Sequence, residues 1–365
     1  MANATRTESE RLGIIDLPNE IIPTINATWT GPERLEIVEN RRPKETLGDH
    51  EVLLRITAAG VCSTDVHIWE GRLSFAKPPL TLGHEFTGIV EECGAGVSGL
   101  SNGDRVKCDS VVGCGVCGWC RRGATQFCPN GWEFGITRDG GWADRLVVPD
   151  RNLHHLPDTV PDEVAAILDV EVLSAFRKPK VFPGDKVAVI GAGPAGLIAL
   201  QCARVLGAST VILCGSRPER LSLGKRLGAD HIIDVHESQV VDEVLKITEG
   251  QGVDLAFDAA GTERSFLDAL LMLRPQGRAV LYGVPGHSIP QFPLQSVVLK
   301  DLTLYGSLPD RTGWDEMIEL VEAGRINLQS LITHHFSLRQ AAEALAVVRD
   351  RRDGAIKAVL LMDSQ

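Results

Sequence analysis

The chain has no apolar run of the roughly 18 residues that a membrane-spanning helix requires, so nothing in it reads as a bilayer span. Its beginning, MANATRTESERLG, is polar and charged and lacks the apolar segment of a secretory signal. Lysine and arginine are scattered rather than gathered into a basic face, and the formal net charge is -11. Such a surface repels a nucleic-acid backbone and offers an anionic membrane nothing to hold. Repeats of fixed period and low-complexity tracts are also missing. These absences point to a globular chain in a reducing compartment, the cytoplasm, acting on a small molecule. What is present fits that: 365 residues, 44% hydrophobic and 23% charged, enough for two domains with sizeable cores.

Three textures follow one another. Residues 1–23 read as a polar extension ahead of the first strand signal, INATWT. Up to about residue 170, short β-like runs (EVLLRI, FTGIV, DRVKC, RLVVP) alternate with Gly and Pro, which predicts a mainly β domain. From Lys186, strand-like runs (KVAVIGAG, TVILCG, HIIDV, VDLAFDAAG, RAVLYG) alternate with helical ones. That alternation predicts βαβ units and a parallel sheet over residues 171–310, so the fold class is α/β. Residues 311–365, with two helical runs and the apolar strand IKAVLLM, read as a return to the first domain.

Val187–Ile190 fits a buried strand and runs into Gly191-Ala192-Gly193-Pro194-Ala195-Gly196. The first glycine permits a tight turn, the second lets the backbone approach a pyrophosphate, and the third allows helix to pack on strand. The helix that opens at Pro194 and Ala195 offers free N–H groups and a positive dipole end to phosphate. This is a dinucleotide site, specific because a strand precedes it and a helix follows. The next strand ends in Gly215-Ser216-Arg217, with Arg220 one helical turn on. A carboxylate at that tip would accept bonds from the ribose hydroxyls of NAD, and none is there. Ser216 and the arginine fork suit a 2′-phosphate, which predicts NADP(H) in preference to NAD(H).

Nine cysteines are present, and four of them, Cys114, Cys117, Cys120 and Cys128, spell C-x2-C-x2-C-x7-C. Four thiolates satisfy tetrahedral Zn2+ and leave no position open, so this lobe, over about residues 108–130, predicts a structural ion. A second candidate site draws on Cys62 in GVCSTDVH, His84 in GHEFTG, and the carboxylate of Asp169 in AAILDVEV. One thiolate, one imidazole and one carboxylate would hold Zn2+ with a position open for substrate. An open zinc lowers the pKa of a bound alcohol, and the alkoxide then gives hydride to a nicotinamide. Thr64 and His67 are placed to pass the hydroxyl proton outward, and Asp65 to orient His84. Trp69, Phe75, Trp132 and Phe134 are candidate walls of an apolar substrate pocket, and Tyr305 a candidate neighbour of the nicotinamide.

GVCSTDVH, GHEFTG, the cysteine run, DGGWADRLVVP and GAGPAG occur in the same order as in the zinc-containing medium-chain alcohol dehydrogenases. From about residue 25 the chain resembles that family, most of all its polyol and secondary-alcohol branch of sorbitol, butanediol and threonine dehydrogenases. The resemblance implies a GroES-like catalytic domain over 24–170, a Rossmann domain over 171–310, and a C-terminus returning to the first. It implies a catalytic zinc at Cys62 and His84, completed by Glu85 or Asp169, with Thr64 and His67 in the proton relay. With the cysteine lobe this makes two zinc ions per chain. It also implies a homodimer or homotetramer. The expected activity is reversible hydride transfer between a secondary alcohol or polyol and NADP(H). A primary-alcohol, aldehyde or NAD-linked reaction is the alternative within the family. A non-catalytic zinc-ribbon binding module is the alternative outside it, and it leaves the glycine turn and the Cys62 and His84 motifs unexplained.

Overall fold

The computed structural model describes residues 21–43, 46–284, 292–308 and 311–362. The expected polar extension lies outside these residues up to residue 20, and the strand Ile21–Gly31 begins inside its expected span. Among the described residues no helix is long and apolar enough to cross a membrane.

The first unit is a seven-stranded sheet built on the strand Glu51–Val61, with alternating burial as a one-face-in strand requires. One edge of this strand pairs antiparallel with Phe86–Cys93, which leads on to Arg105–Cys108 and Leu153–His155. Its other edge is shared. Arg145–Pro149 takes the first half, and Lys357–Leu361 takes Ala58–Val61. The latter strand pairs parallel with Ile332–Ser337, so the C-terminal segment completes a sheet begun some three hundred residues earlier. A smaller sheet of Arg34–Pro43, Ile21–Gly31 and Leu80–Thr81 packs beside it.

The second unit is a six-stranded sheet, parallel throughout, in the spatial order His231–Asp234, Thr210–Gly215, Lys186–Ile190, Val253–Asp258, Leu273–Leu281, Thr303–Gly306. Counted along the chain this is 3-2-1-4-5-6, the doubly wound Rossmann order, and its switch point lies beside Lys186–Ile190. The sixth strand carries no sequence signal as clear as the other five. The run SFLDALLMLRPQG, helical throughout by its pattern, is divided: Glu263–Leu271 is helix, and Leu273 already begins the fifth strand. One apolar core includes Ala58 and Val359 from the first sheet, Val187 and Phe257 from the second, and the helix Val170–Ala175 between them. Phe176 stacks on Phe257 at 4.9 Å, which seats that helix on the parallel sheet.

The glycine turn shows why glycine serves at two of its positions and what the third leaves open. Gly191 has φ 106°, a Cβ on Gly196 would lie 1.7 Å from the Gly191 carbonyl oxygen, and a Cβ on Gly193 would meet nothing within 4 Å. Gly193 therefore faces open space at the N-terminus of the helix Pro194–Val205. Gly196→Ala should push that helix off its strand at a cost of about 1–3 kcal/mol. A urea midpoint indistinguishable from wild type would contradict this packing.

Candidate active site

Cys62 ends the central strand and caps the helix Ser63–Trp69. Its backbone N–H donates to Asp65 Oδ2 at 2.8 Å, which fixes the first turn. Asp65, fully buried, turns its other oxygen to His84 Nδ1 at 3.2 Å. That acceptor assigns the proton to Nδ1 and leaves Nε2 facing the cluster, 4.0 Å from Glu85 Oε1. Burial disfavours a charged His84, but Asp65 and Cys62 together raise its pKa well above 6.5. A metal ion bound there would take the place of that proton.

His84 and Glu85 arrive on the turn before Phe86–Cys93. Gly83, at φ 94°, has room for no side chain, because a Cβ would lie 2.2 Å from Trp142 Cδ1. Trp142 is fully buried and donates its indole N–H to the Gly60 carbonyl at 3.2 Å. Gly60 in turn donates to the Glu85 carbonyl at 2.7 Å, and a Cβ on it would lie 2.1 Å from Glu85 Oε2. Gly60 thus makes the space that Glu85 occupies, and Gly83 the space for the Trp142 ring that binds Gly60.

Ligand atoms of Cys62, His84 and Glu85 all lie within 4.8 Å of one another. Asp169 stands outside this group. It caps the helix Val170–Ala175, accepting from Glu171 N–H at 2.8 Å, and burial and the charge of Glu85 raise its pKa. Thr64 Oγ1 is 3.9 Å from Cys62 Sγ, and His67 follows one turn along the same helix, half-buried, its pKa lowered by burial and by Arg72.

Residues that motif reading passed over surround the cluster. Lys357 Nζ donates to Glu85 Oε1 at 2.7 Å. Burial opposes ionisation of Glu85, but Lys357 and His84 outweigh it and hold the pKa below 4.5. Tyr282 is raised well above 10 by burial and by the charges of Asp169, Glu171, Cys62 and Glu85. Arg311 pairs with Asp109 and Glu171 and donates to Ser110 Oγ at 3.2 Å, tying the segment after the parallel sheet to the catalytic sheet. The lysine inside IKAVLLM and the acid inside VEVLSA were visible as charges at apolar positions, which was their signal.

The four candidate aromatic walls sit in three different surroundings. Trp69 is buried in the core against the Arg349 guanidinium, and Phe75 is 57% exposed. Trp132 and Phe134 line a separate cavity of about 330 Å³ with Thr24, Thr81 and Arg138, whose lining includes none of Cys62, His84 and Glu85. Tyr305 lies in the edge strand Thr303–Gly306, opposite Val280. The surroundings of the cluster combine the charged Lys357, Glu171 and Arg311 with the phenol of Tyr282.

In the cysteine lobe all four Sγ atoms fall within 4.8 Å of one another, with Cys117 to Cys120 at 3.5 Å and Cys117 to Cys128 at 3.8 Å. A tetrahedron with Zn–S bonds of about 2.3 Å has edges of about 3.8 Å, so the cage fits zinc. The backbone N–H groups of Cys114 and Cys120 point at Cys128 and Cys117 sulfur at 3.3 and 3.4 Å, the donors that a thiolate set needs.

At the dinucleotide tip, Gly215 meets Ala192, whose Cβ would be 2.7 Å from an added one, and Arg217 precedes the helix Pro218–Arg226. Ser216 is exposed there, and Arg220 points its Nη2 at the carbonyl of Ala355.

A GroES-like sheet, a Rossmann sheet and a thiolate, imidazole and carboxylate cluster beside them define a zinc-binding dehydrogenase. Residues 48–158 match the alcohol dehydrogenase GroES-like domain, and residues 194–323 match the zinc-binding dehydrogenase domain. The chain is 35% identical over 332 residues to L-threonine 3-dehydrogenase of Pyrococcus horikoshii, covering 88% of this chain and 94% of that one. It is 31% identical to sorbitol dehydrogenase of Halalkalibacterium halodurans, covering 87% and 94%. A solved structure described as a zinc-binding dehydrogenase of Sinorhizobium meliloti 1021, bound to NADP, superposes with a TM-score of 0.86 at 26% identity, over 93% of this chain and 99% of that one. The chain belongs to the zinc-binding alcohol dehydrogenase family, and it is an oxidoreductase.

Lys107 supplies a pH test of this interior. Burial lowers its pKa from 10.5 to about 8 although its Nζ donates to the Ala166 carbonyl at 2.7 Å. Between those values the unfolded chain holds a proton that the native chain lacks, so the destabilisation from Lys107 fades as pH rises from 8 to 10.5. A cation bound nearby acts in the same direction. The stability difference between Lys107→Met and wild type should therefore drift in favour of wild type across that window in urea unfolding; a difference independent of pH would contradict the shift.

Proposed function

We propose that this chain oxidises a secondary alcohol or polyol to the ketone, reversibly, with NADP(H) as the hydride carrier and two zinc ions per chain. The observation that carries the reading is the convergence of Cys62, His84 and Glu85, from two strand ends, onto one point with ligand atoms within 4.8 Å. The soft thiolate, the imidazole held by Asp65 and the carboxylate suit Zn2+, and a zinc ion with three protein ligands supplies Lewis acidity to a bound alcohol. Glu85 completes the set in the arrangement described, and Asp169 stands behind it, restrained as a helix cap.

The protein's own groups do the rest. Thr64 Oγ1 takes up the substrate hydroxyl proton as it passes its own outward, and His67, one turn on and held neutral by burial and Arg72, receives a proton and releases it to solvent. Gly193 admits the pyrophosphate to the N-terminus of Pro194–Val205 with Ala195 and Gly196. Ser216 and Arg217 take the 2′-phosphate at the tip where no carboxylate stands. The likeness to proteins named L-threonine 3-dehydrogenase and sorbitol dehydrogenase supports a hydroxylated substrate such as a polyol. Cys114, Cys117, Cys120 and Cys128 hold the second ion and perform no chemistry, since the set is closed.

The edge strand Thr303–Gly306 pairs on one side, and Leu294, Val298 and Leu299 are exposed on the neighbouring helix. These support a homo-oligomer. A cytoplasmic location fits the absence of a long apolar run.

Reduced-nicotinamide absorbance with a panel of secondary alcohols, polyols and ketones, run with NADP+ and NAD+ in parallel, tests the reaction; no turnover with any of them would sink it. Arg217→Ala should lower the NADP+ to NAD+ preference about tenfold, and an unmoved ratio would count against the tip. Metal analysis should find about two zinc ions per chain, falling by about one in Cys120→Ala.

A further inference from the structure

The dinucleotide tip gathers more positive charge than its own strand end supplies. Arg217 stands just before the helix Pro218–Arg226 and Arg220 lies in that helix's first turn. Arg220 donates to the carbonyl of Ala355, which follows the turn Arg352–Gly354. This bond docks the nucleotide-side helix against the C-terminal segment. Arg351 comes with that segment, in a left-handed conformation of φ 55° that ends the helix Ala341–Asp350.

That bond brings Arg351, four residues before Ala355, up to the nucleotide-side helix, where its charge is felt at Arg217 and Arg220. Burial and then the charge of Arg351 lower the pKa of Arg217. Burial, then Arg217 and Arg351, lower that of Arg220 to about 10. Glu219 opposes this at both. The other arginines of the turn, Arg349 and Arg352, are both held by Asp350. Among the described residues, Arg217 and Arg351 make no ion pair. Three cations facing the single carboxylate of Glu219 raise the free energy of the unliganded protein, and a doubly charged anion placed among them relieves it. Arg220, by contrast, is engaged with a backbone carbonyl and serves to hold the two segments together.

We infer that Arg351, from the C-terminal segment rather than from the nucleotide domain, is a specificity-determining residue that binds the 2′-phosphate of NADP(H) opposite Ser216 and Arg217. The inference rests on the NADP(H) reading above. It adds that the phosphate bridges the nucleotide helix and a segment whose next strand, Lys357–Leu361, belongs to the catalytic sheet.

The test uses the full-length, zinc-loaded enzyme. The ratio of kcat/KM for NADP+ to that for NAD+ is measured for wild type, Arg351→Ala, Arg351→Lys and Arg351→Glu, alongside equilibrium titration with 2′,5′-ADP. Arg351→Ala should lower the ratio and weaken 2′,5′-ADP roughly tenfold, Arg351→Lys should retain most of both, and Arg351→Glu should lose more than the alanine. If wild type prefers NADP+ and Arg217→Ala erodes the preference while Arg351→Ala changes neither readout beyond twofold, the inference fails and the NADP(H) reading stands. If NADP+ and NAD+ weaken alike in Arg351→Ala, its role is structural and the inference again fails. A wild type that prefers NAD+ overturns both.

Discussion

The pairing of one strand, Glu51–Val61, with partners from far apart in the chain is the constraint on which the catalytic centre depends. Phe86–Cys93 lies along one edge, and Lys357–Leu361 lies along the last four residues of the other. The register brings the end of the strand at Cys62, the turn carrying His84 and Glu85, and Lys357 to one place. Because successive side chains alternate faces, a slip of one residue in either pairing would turn Lys357 or Glu85 away from the centre. The register is held by the buried Leu54, Ile56 and Ala58, and by Trp142, whose indole binds Gly60 beside Glu85.

A dense set of buried charges follows from that convergence. Asp65, Lys107, Lys357, Glu85, Asp169, Glu171 and Arg311 are withdrawn from water, and each is compensated by a partner or a backbone carbonyl. Breaking such an arrangement leaves a charge unpaired in a low-dielectric interior, so removing any one partner costs more than the pair itself contributes. The same pairs join the units: Arg311, carried beyond the parallel sheet, grips Asp109 at the edge of the cysteine lobe and Glu171 beside Asp169. The candidate metal cluster and the parallel sheet are thereby joined by buried ion pairs.

Motifs whose chemistry depends on local spacing were legible without coordinates. The four cysteines assemble a cage because fifteen residues suffice to wrap one ion, and the glycine turn works because Gly191 and Gly196 leave no room for a side chain while Gly193 keeps the space before the helix open. The alternation of strands and helices likewise announced a parallel sheet, since period and turn residues are local properties. Less legible were Thr303–Gly306, a short edge strand, and the start of the fifth strand within the helical pattern at Leu273. There the pairing partner, not the local pattern, decides the conformation.

The aromatic residues show where that legibility ends. Trp69, Phe75, Trp132 and Phe134 suit a pocket wall by type, yet burial depends on which sheet each packs against: Trp69 is core, Phe75 is exposed, and Trp132 and Phe134 line a separate cavity. The choice between Glu85 and Asp169 was equally open, because both are carboxylates near the metal-type motifs; the cap bond of Asp169 and the ion pair of Glu85 distinguish them only once the chain is folded. Lys357 and Arg351 lie almost three hundred residues from Cys62 and well over a hundred from Arg217 respectively, and no spacing rule links them. The sequence by itself determined the closed thiolate cage, the glycine turn and the α/β class, because each is specified by neighbours along the chain. Tertiary structure alone decided which charges surround the reactive cluster and which cations meet at the nucleotide tip, because those are neighbours only through strand register and helix docking.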